Sequence, residues 1–233
     1  MVSIGCLIYR STKYADATWN SIHEFTPEIG NGVRFFFLAN DATPEVIEHL
    51  RAKRYPFIEH RNEEYGLDGY DPPLYIRGVY MGWNRALMES DETAVLTSSD
   101  FMYSPGWFSW LLSELNDRTI VTSKIVERRH PIHGINSRAW EKDFGDHPDR
   151  FDKHGFLDFV SQTRKGDTES GGSYGPIAVH KSNALKVGLY PEGNPRSTYG
   201  DREFFDRLGK IGVNHVTSLN SVVYHFKEGE MRE

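Results

Sequence analysis

The chain has one cysteine in 233 residues, Cys6, so no internal disulfide can form. Its place inside an apolar run reads as a buried, inert thiol in a reducing setting. A surplus of positive charge is also missing. Lys and Arg number 27 against 33 Asp and Glu, a net charge of −6, which excludes a general basic surface for nucleic acid, because such binding rests on neutralising phosphates. The stretch "KIVERRH" at 124–130 is a local patch only. No run approaches the roughly 20 apolar residues that cross a bilayer, and "MVSIGCLIYR" has no basic region ahead of its apolar stretch. The expectation is a soluble, unprocessed, cytoplasmic chain. Repeats and low-complexity linkers are absent as well, which leaves one domain as the default at this length.

What is present is a regular alternation. Apolar, β-rich runs at 2–9, 33–39, 93–97 and 119–126 are separated by helical patterns in "KYADATWNSIHEF", "TPEVIEHLRAK", "PLYIRGVYMGWNRALMES" and "PGWFSWLLSEL". Near-continuous apolar strands between amphipathic helices predict an open α/β fold, with a mostly parallel sheet covered on both faces. Thr43 and Pro44 read as cap and first residue of one helix, and Ser104 and Pro105 as the same pair for another. Helices of this kind start just after a strand's carboxyl end, the edge on which open α/β sheets bind ligands. Asp41 and Asp100 fall on that edge.

From residue 127 the alternation breaks. "ERRHPIHGINSRAWEKDFGDHPDRFDKHGF" is polar, aromatic and turn-rich, one helix is expected at "FLDFVSQTRK", and "GDTESGGSYGP" follows. A long irregular segment in a compact domain reads as a binding loop or lid. Regular structure resumes with "IAVHKSNALKVG", a helix at "GDREFFDRLGKIG" and two short strands, "VNHVTSL" and "SVVYHF". Aromatics make up 13 % of the chain, most of them core and several in Gly- and Pro-rich loops that suit flat ligands.

Four stations in order carry a resemblance: Tyr9 and Arg10 after the first strand, "NDATPE" after the second, "SSDFMYSP" after the strand at 93–97, and "YGDREFFDRLGKIG" near the end. Together they resemble the inverting nucleotide-sugar glycosyltransferases of family two, which have the GT-A fold. The resemblance spans nearly the whole chain and is strong only at those stations. It implies a mixed, mostly parallel sheet. A Rossmann-like nucleotide-sugar half would cover 1–126, and an acceptor-binding and catalytic half 127–233. The implied reaction transfers a sugar from a nucleoside diphosphate, first of all UDP, to the hydroxyl of a glycan, lipid-linked or other acceptor, assisted by Mn²⁺ or Mg²⁺.

By that resemblance Asp100 holds the divalent cation against the donor's diphosphate, and His225 reaches the metal or diphosphate. Tyr9 stacks on the base, Asp41 accepts a base N–H, Arg77 lies near the nucleotide, and Ser99 bonds the ribose. Gly172, in a glycine-rich turn, permits close approach of the acceptor. Asp201 is the general base. Each has a plainer reading: a turn or cap residue for Asp100, Asp41 and Asp201, core packing for Tyr9, a solvated helix face for Arg77, a structural imidazole for His225, and an ordinary turn for Gly172. Ser98 and Ser99 stand where further carboxylates are usual, so metal affinity is expected to be weaker unless the diphosphate supplies most ligands; beside Asp201, Gly200 stands where the family has a glutamate. Two other functions stay open. A sugar nucleotidyltransferase would want a glycine-rich phosphate loop, which "YRSTKYAD" lacks. A noncatalytic nucleotide-sugar or glycan-binding module would have no use for Asp201. Donor sugar, acceptor and oligomeric state are not legible.

Overall fold

A computed structural model describes residues 1–62, 72–131, 134–136, 138–164, 166–192, 200–227 and 229–232, with the side chains of 72–75 and 231–232 outside that description. Tyr199 of "YGDREFF" and part of "HPIHGINS" therefore lie outside the described residues.

Ten strands form one sheet, with its main path in the order β3-β2-β1-β4-β9-β6-β10-β5. Strands β1 (Val2–Ile8), β2 (Val33–Asn40), β3 (Phe57–His60) and β4 (Thr93–Ser98) run parallel to one another. Strands β9 (Ile177–His180) and β6 (Thr119–Glu127) carry the sheet onward, β9 being antiparallel to both β4 and β6. Strand β10 (Asn214–His225) runs parallel to β6 and antiparallel to the short β5 (Phe101–Tyr103) and β8 (Thr168–Ser170), and the two-residue β7 (Trp140–Glu141) pairs with β6. The sheet is thus mixed and mostly parallel. It runs through both expected halves without a break.

Side-chain alternation splits the core into two layers. Ile4, Cys6 and Ile8 of β1 and Phe35 and Phe37 of β2 face a layer that includes residues of helices α1 (Thr12–Phe25), α2 (Pro44–Lys53), α4 (Trp107–Ser113) and α5 (Lys153–Thr163). Leu7, Phe36 and Leu38 face the other, beneath α3 (Pro72–Glu89), α6 (Lys181–Lys186) and α7 (Gly200–Lys210). Both faces of the strands are therefore apolar, which is why their sequences read as unbroken hydrophobic runs. Cys6 is fully buried and free, and burial, followed by the charges of Asp100 and Glu230, raises its thiol well above the usual range.

Three local expectations change. Ser104 and Pro105 do not open α4: residues 101–103 extend as β5, Ser104 donates its hydroxyl to the Val222 carbonyl at 2.7 Å, and Gly106 takes the cap position. The two short strands at 213–219 and 221–226 are one long β10 whose register shifts between Ser218 and Val222, so Asn220 and its neighbours mark a bulge instead of a turn. The segment after 127 is more regular than its polarity implies. Phe144, Phe151 and Phe156 close around Tyr224, with ring centroids 5.4 to 5.9 Å from it, and the Tyr224 hydroxyl takes the Phe144 N–H at 3.2 Å. Among the described residues no helix is long and apolar enough to cross a membrane.

Candidate active site

The strand order 3-2-1-4 reverses direction between β1 and β4, and an open parallel sheet leaves a crevice beyond the carboxyl ends of the strands at such a point. Tyr9 follows β1 and Ser99 and Asp100 follow β4, so the topology alone gathers three of the expected residues there. Ser99 is anchored by its backbone: its N–H donates to the Leu7 carbonyl at 3.0 Å and its carbonyl accepts from the Thr18 hydroxyl at 2.8 Å. β5 turns back against β10, and the Phe226 N–H donates to the Asp100 carbonyl at 2.8 Å. This brings the end of β10 to the same edge.

Asp100, His225 and Glu127 form a line of contacts. His225 Nε2 lies 3.3 Å from Asp100 Oδ2, and His225 Nδ1 lies 2.9 Å from Glu127 Oε2. Glu127 is buried and also accepts the Asn136 N–H at 2.5 Å, with Lys227 Nζ 3.4 Å away. Phe101 stacks on the imidazole with centroids 4.9 Å apart. Burial pushes the His225 imidazole down, but the two carboxylates outweigh it and hold its pKa at about 9. Burial pushes Asp100 and Glu127 up. The bond to His225 leads the opposing effects on both, joined by the Ser98 hydroxyl at Asp100 and by Asn136 and Lys227 at Glu127, and both carboxyls fall below their usual values. Glu127 and Lys227 were not singled out from sequence, although Glu127 offers the same signal as Asp100, an acidic residue at a strand's carboxyl end.

Glu230 completes this edge. It sits in the terminal turn Gly229–Arg232, and its carboxylate accepts the N–H groups of Tyr9 (3.2 Å), Arg10 (2.6 Å) and Ser11 (2.8 Å) together with the Ser99 hydroxyl. Nothing in the sequence connects position 230 with position 9.

Other expected residues lie around this edge or apart from it. Asp41, in a left-handed conformation (φ 50°), spends its carboxylate on the backbone N–H (2.8 Å) and side-chain amide of Asn62, tying the end of β2 to the end of β3. The Tyr9 ring is covered by the Arg10 guanidinium at 4.6 Å. Arg77 is half-buried on α3. Asn84 has a packing role, trading two hydrogen bonds with the backbone of Tyr190 at 2.8 and 2.9 Å. Gly172 lies against Thr217, where a Cβ would stand 1.8 Å from the hydroxyl oxygen.

Asp201 is in the first turn of α7 and is not its cap residue; its own Oδ1 accepts the Arg202 N–H at 2.8 Å. Burial raises its pKa above the ordinary carboxylate value, with backbone N–H groups and Tyr80 offsetting part of the effect. The loop before β9 lies between the two regions: Gly175 packs on the Phe101 ring that covers His225, while the charge of Asp201 bears on Tyr174.

GalNAc-T7, crystallised with UDP, GalNAc and Mn²⁺, superposes with a TM-score of 0.62 at 14% identity, over 97% of this chain and 43% of its own. TarS from S. aureus gives 0.61 at 11% identity, over 97% of this chain and 60% of the solved fragment. The mannosyltransferase PcManGT from Pyrobaculum calidifontis, in complex with GDP-Man and Mn²⁺, gives 0.59 at 12% identity, over 96% and 56%. The fold is of the GT-A glycosyltransferase type. The chain spans about half the length of these neighbours. By sequence, no family profile and no curated protein matches it.

Proposed function

We propose that this GT-A chain is a glycosyltransferase domain that moves a sugar from a nucleoside diphosphate, UDP in the first instance, to a hydroxyl acceptor with inversion. The observation that carries the reading is the line Asp100–His225–Glu127 at the carboxyl edge beside Tyr9 and Ser99. A hard carboxylate oxygen and an imidazole nitrogen stand side by side, and Glu127 fixes the ring from its far nitrogen, as a second layer around a metal does. Among the described residues no three acidic, His or Cys side chains gather into a cage. Two protein ligands fit a Mg²⁺ or Mn²⁺ ion that keeps waters and takes its remaining ligands from phosphate oxygens. Such an ion supplies charge stabilisation to a leaving diphosphate.

The chain's own residues have distinct tasks in this reading. Asp100 and His225 hold the cation, Asp41 accepts a base N–H on a lone pair left over from its bonds to Asn62, and Tyr9, Ser99 and Arg77 line the nucleotide. Asp201, whose raised pKa brings it nearer neutral pH, takes the proton of the acceptor hydroxyl. The loop containing Gly172 and the segment 127–175 border the acceptor. Ser98 and Ser99, in place of further carboxylates, keep a noncatalytic nucleotide-sugar-binding module as the second reading.

Calorimetric titration with UDP tests the donor site. Wild type should bind more tightly with Mn²⁺ than with EDTA, and Asp100→Ala should lose that difference while staying folded. Equal affinity with and without metal in the wild type overturns the metal role. Release of UDP from a UDP-sugar separates the enzyme from the binding module.

A further inference from the structure

We propose that the C-terminal turn is an intramolecular competitor of the nucleoside diphosphate, with the Glu230 carboxylate as the group that blocks the donor edge; this rests on the reading of that edge as the donor site.

Two of the residues that the Glu230 carboxylate contacts, Tyr9 and Ser99, are ones that the nucleotide would use in that reading. Both Glu230 oxygens lie 3.2 Å from the Tyr9 N–H, and Oε2 accepts from Arg10 at 2.6 Å and Ser11 at 2.8 Å. The Ser99 hydroxyl donates to Oε1. The described groups that bond the carboxylate are all hydrogen-bond donors, so the edge suits oxygen acceptors: a carboxylate, a phosphate, or a base carbonyl. Three of those donors are backbone N–H groups leading into α1, whose start favours negative charge. Asp100 is covered at the same time. Gly229 lies so close that a Cβ there would be 2.7 Å from Asp100 Cβ, and its φ of 39° suits glycine. The Gly229 N–H also donates to the Phe226 carbonyl at 2.7 Å, folding the turn back over the strand ends. A nucleotide that used Tyr9, Ser99 and Asp100 would have to displace this turn.

Magnitudes favour exchange over a permanent clasp. A buried carboxylate gains charge-assisted hydrogen bonds but loses its hydration. At Glu230 the loss of hydration outweighs the bonds: burial pushes its pKa up to about 7 against the pull of Ser99 and the three N–H groups. The tether is short, five positions from His225 at the end of β10, so even a weak contact stays populated. A donor that binds only the open form loses apparent affinity in proportion to the open fraction.

The test is UDP titration, with Mn²⁺ present, of the wild type, Glu230→Ala and Glu230→Gln. Removing the competitor should tighten UDP binding by about tenfold for an open fraction near one in ten, and Glu230→Gln, which loses the charge, should move in the same direction. Unchanged or weaker UDP affinity in a variant that stays folded overturns the proposal and leaves the donor site standing. If neither the wild type nor any variant binds UDP or GDP, the donor-site reading fails and the competitor falls with it. Should Glu230→Ala unfold, Glu230→Gln carries the same comparison.

Discussion

The ring of Tyr80 rests directly on Gly200: a Cβ at position 200 would lie 2.5 Å from the ring edge. The position next to Asp201 is therefore a glycine for a packing reason. Tyr80 is buried, lies parallel to Tyr190 with centroids 5.9 Å apart, and its hydroxyl interacts with Asp201. Gly200→Ala should force the ring or the start of α7 to move, a clash that typically costs about 1–3 kcal/mol. A lowered melting temperature with a retained fold is the expected result. A melting temperature equal to that of the wild type would show that the helix start yields freely.

Glu127 should act through His225 without touching a ligand itself. Glu127→Gln keeps the shape but removes one of the two charges that hold the imidazole in place. Loss of a second-layer partner typically costs about 10- to 100-fold in metal affinity. Mn²⁺ titration in the presence of UDP should show that loss, with folding preserved. An unchanged Mn²⁺ midpoint would leave Glu127 as a core ion pair with Lys227 only.

His215 should make the protein acid-sensitive. Burial, reinforced by Arg138, lowers its pKa from 6.5 to about 4, and it packs against Tyr174 and Phe205 with Nε2 2.9 Å from the Thr122 hydroxyl. A base with a depressed folded pKa favours the folded state fully above its unfolded pKa. That contribution is lost as pH falls from about 6.5 toward 4, and amounts to about 3 kcal/mol at most. Denaturant unfolding at pH 7 and pH 4.5 should show a smaller pH-dependent loss in His215→Gln than in the wild type. Equal losses would assign the acid sensitivity to other groups.

The four parallel-type apolar runs and their helices were legible because each strand is buried on both faces and each helix on one. α1 and α2 begin where Ser11 and Thr43 cap them, their side chains accepting the N–H groups of Tyr14 and Val46. β5 was not legible, because three residues give no periodicity and Ser104-Pro105 imitates a helix start. The bulge in β10 hid in the polar "SLNS", which reads as a turn unless the pairing of both flanks with β6 is known. At the site, Asp41 and Asp100 could be placed on the carboxyl edge because strand ends are readable, whereas Tyr9, Ser99 and His225 were singled out only by the resemblance. Glu230 and Tyr80 were not legible, since their contacts join positions far apart in the chain through backbone groups and a ring face.

Asp201→Asn separates an enzyme from a binding module. The amide keeps the shape and can still accept the Arg202 N–H, but it cannot take an acceptor's proton. Loss of a general base typically lowers the rate about 10²- to 10⁴-fold, whereas a carboxylate in the first turn of a helix contributes only about 0.3–1 kcal/mol. The variant should therefore fold and bind UDP like the wild type, yet release UDP from a UDP-sugar far more slowly with acceptor present. Tyr80→Phe adds a graded check. Its hydroxyl offsets part of the burial effect on Asp201, and Tyr174, Tyr190, Arg202 and the backbone N–H groups of α7 are the other groups that bear on that carboxyl or are coupled to it. Without the hydroxyl the Asp201 pKa should rise further, and the acid limb of the rate profile should move to higher pH. Full activity in Asp201→Asn would remove the residue from the chemistry, and an unmoved acid limb in Tyr80→Phe would remove the tyrosine from the control of its charge.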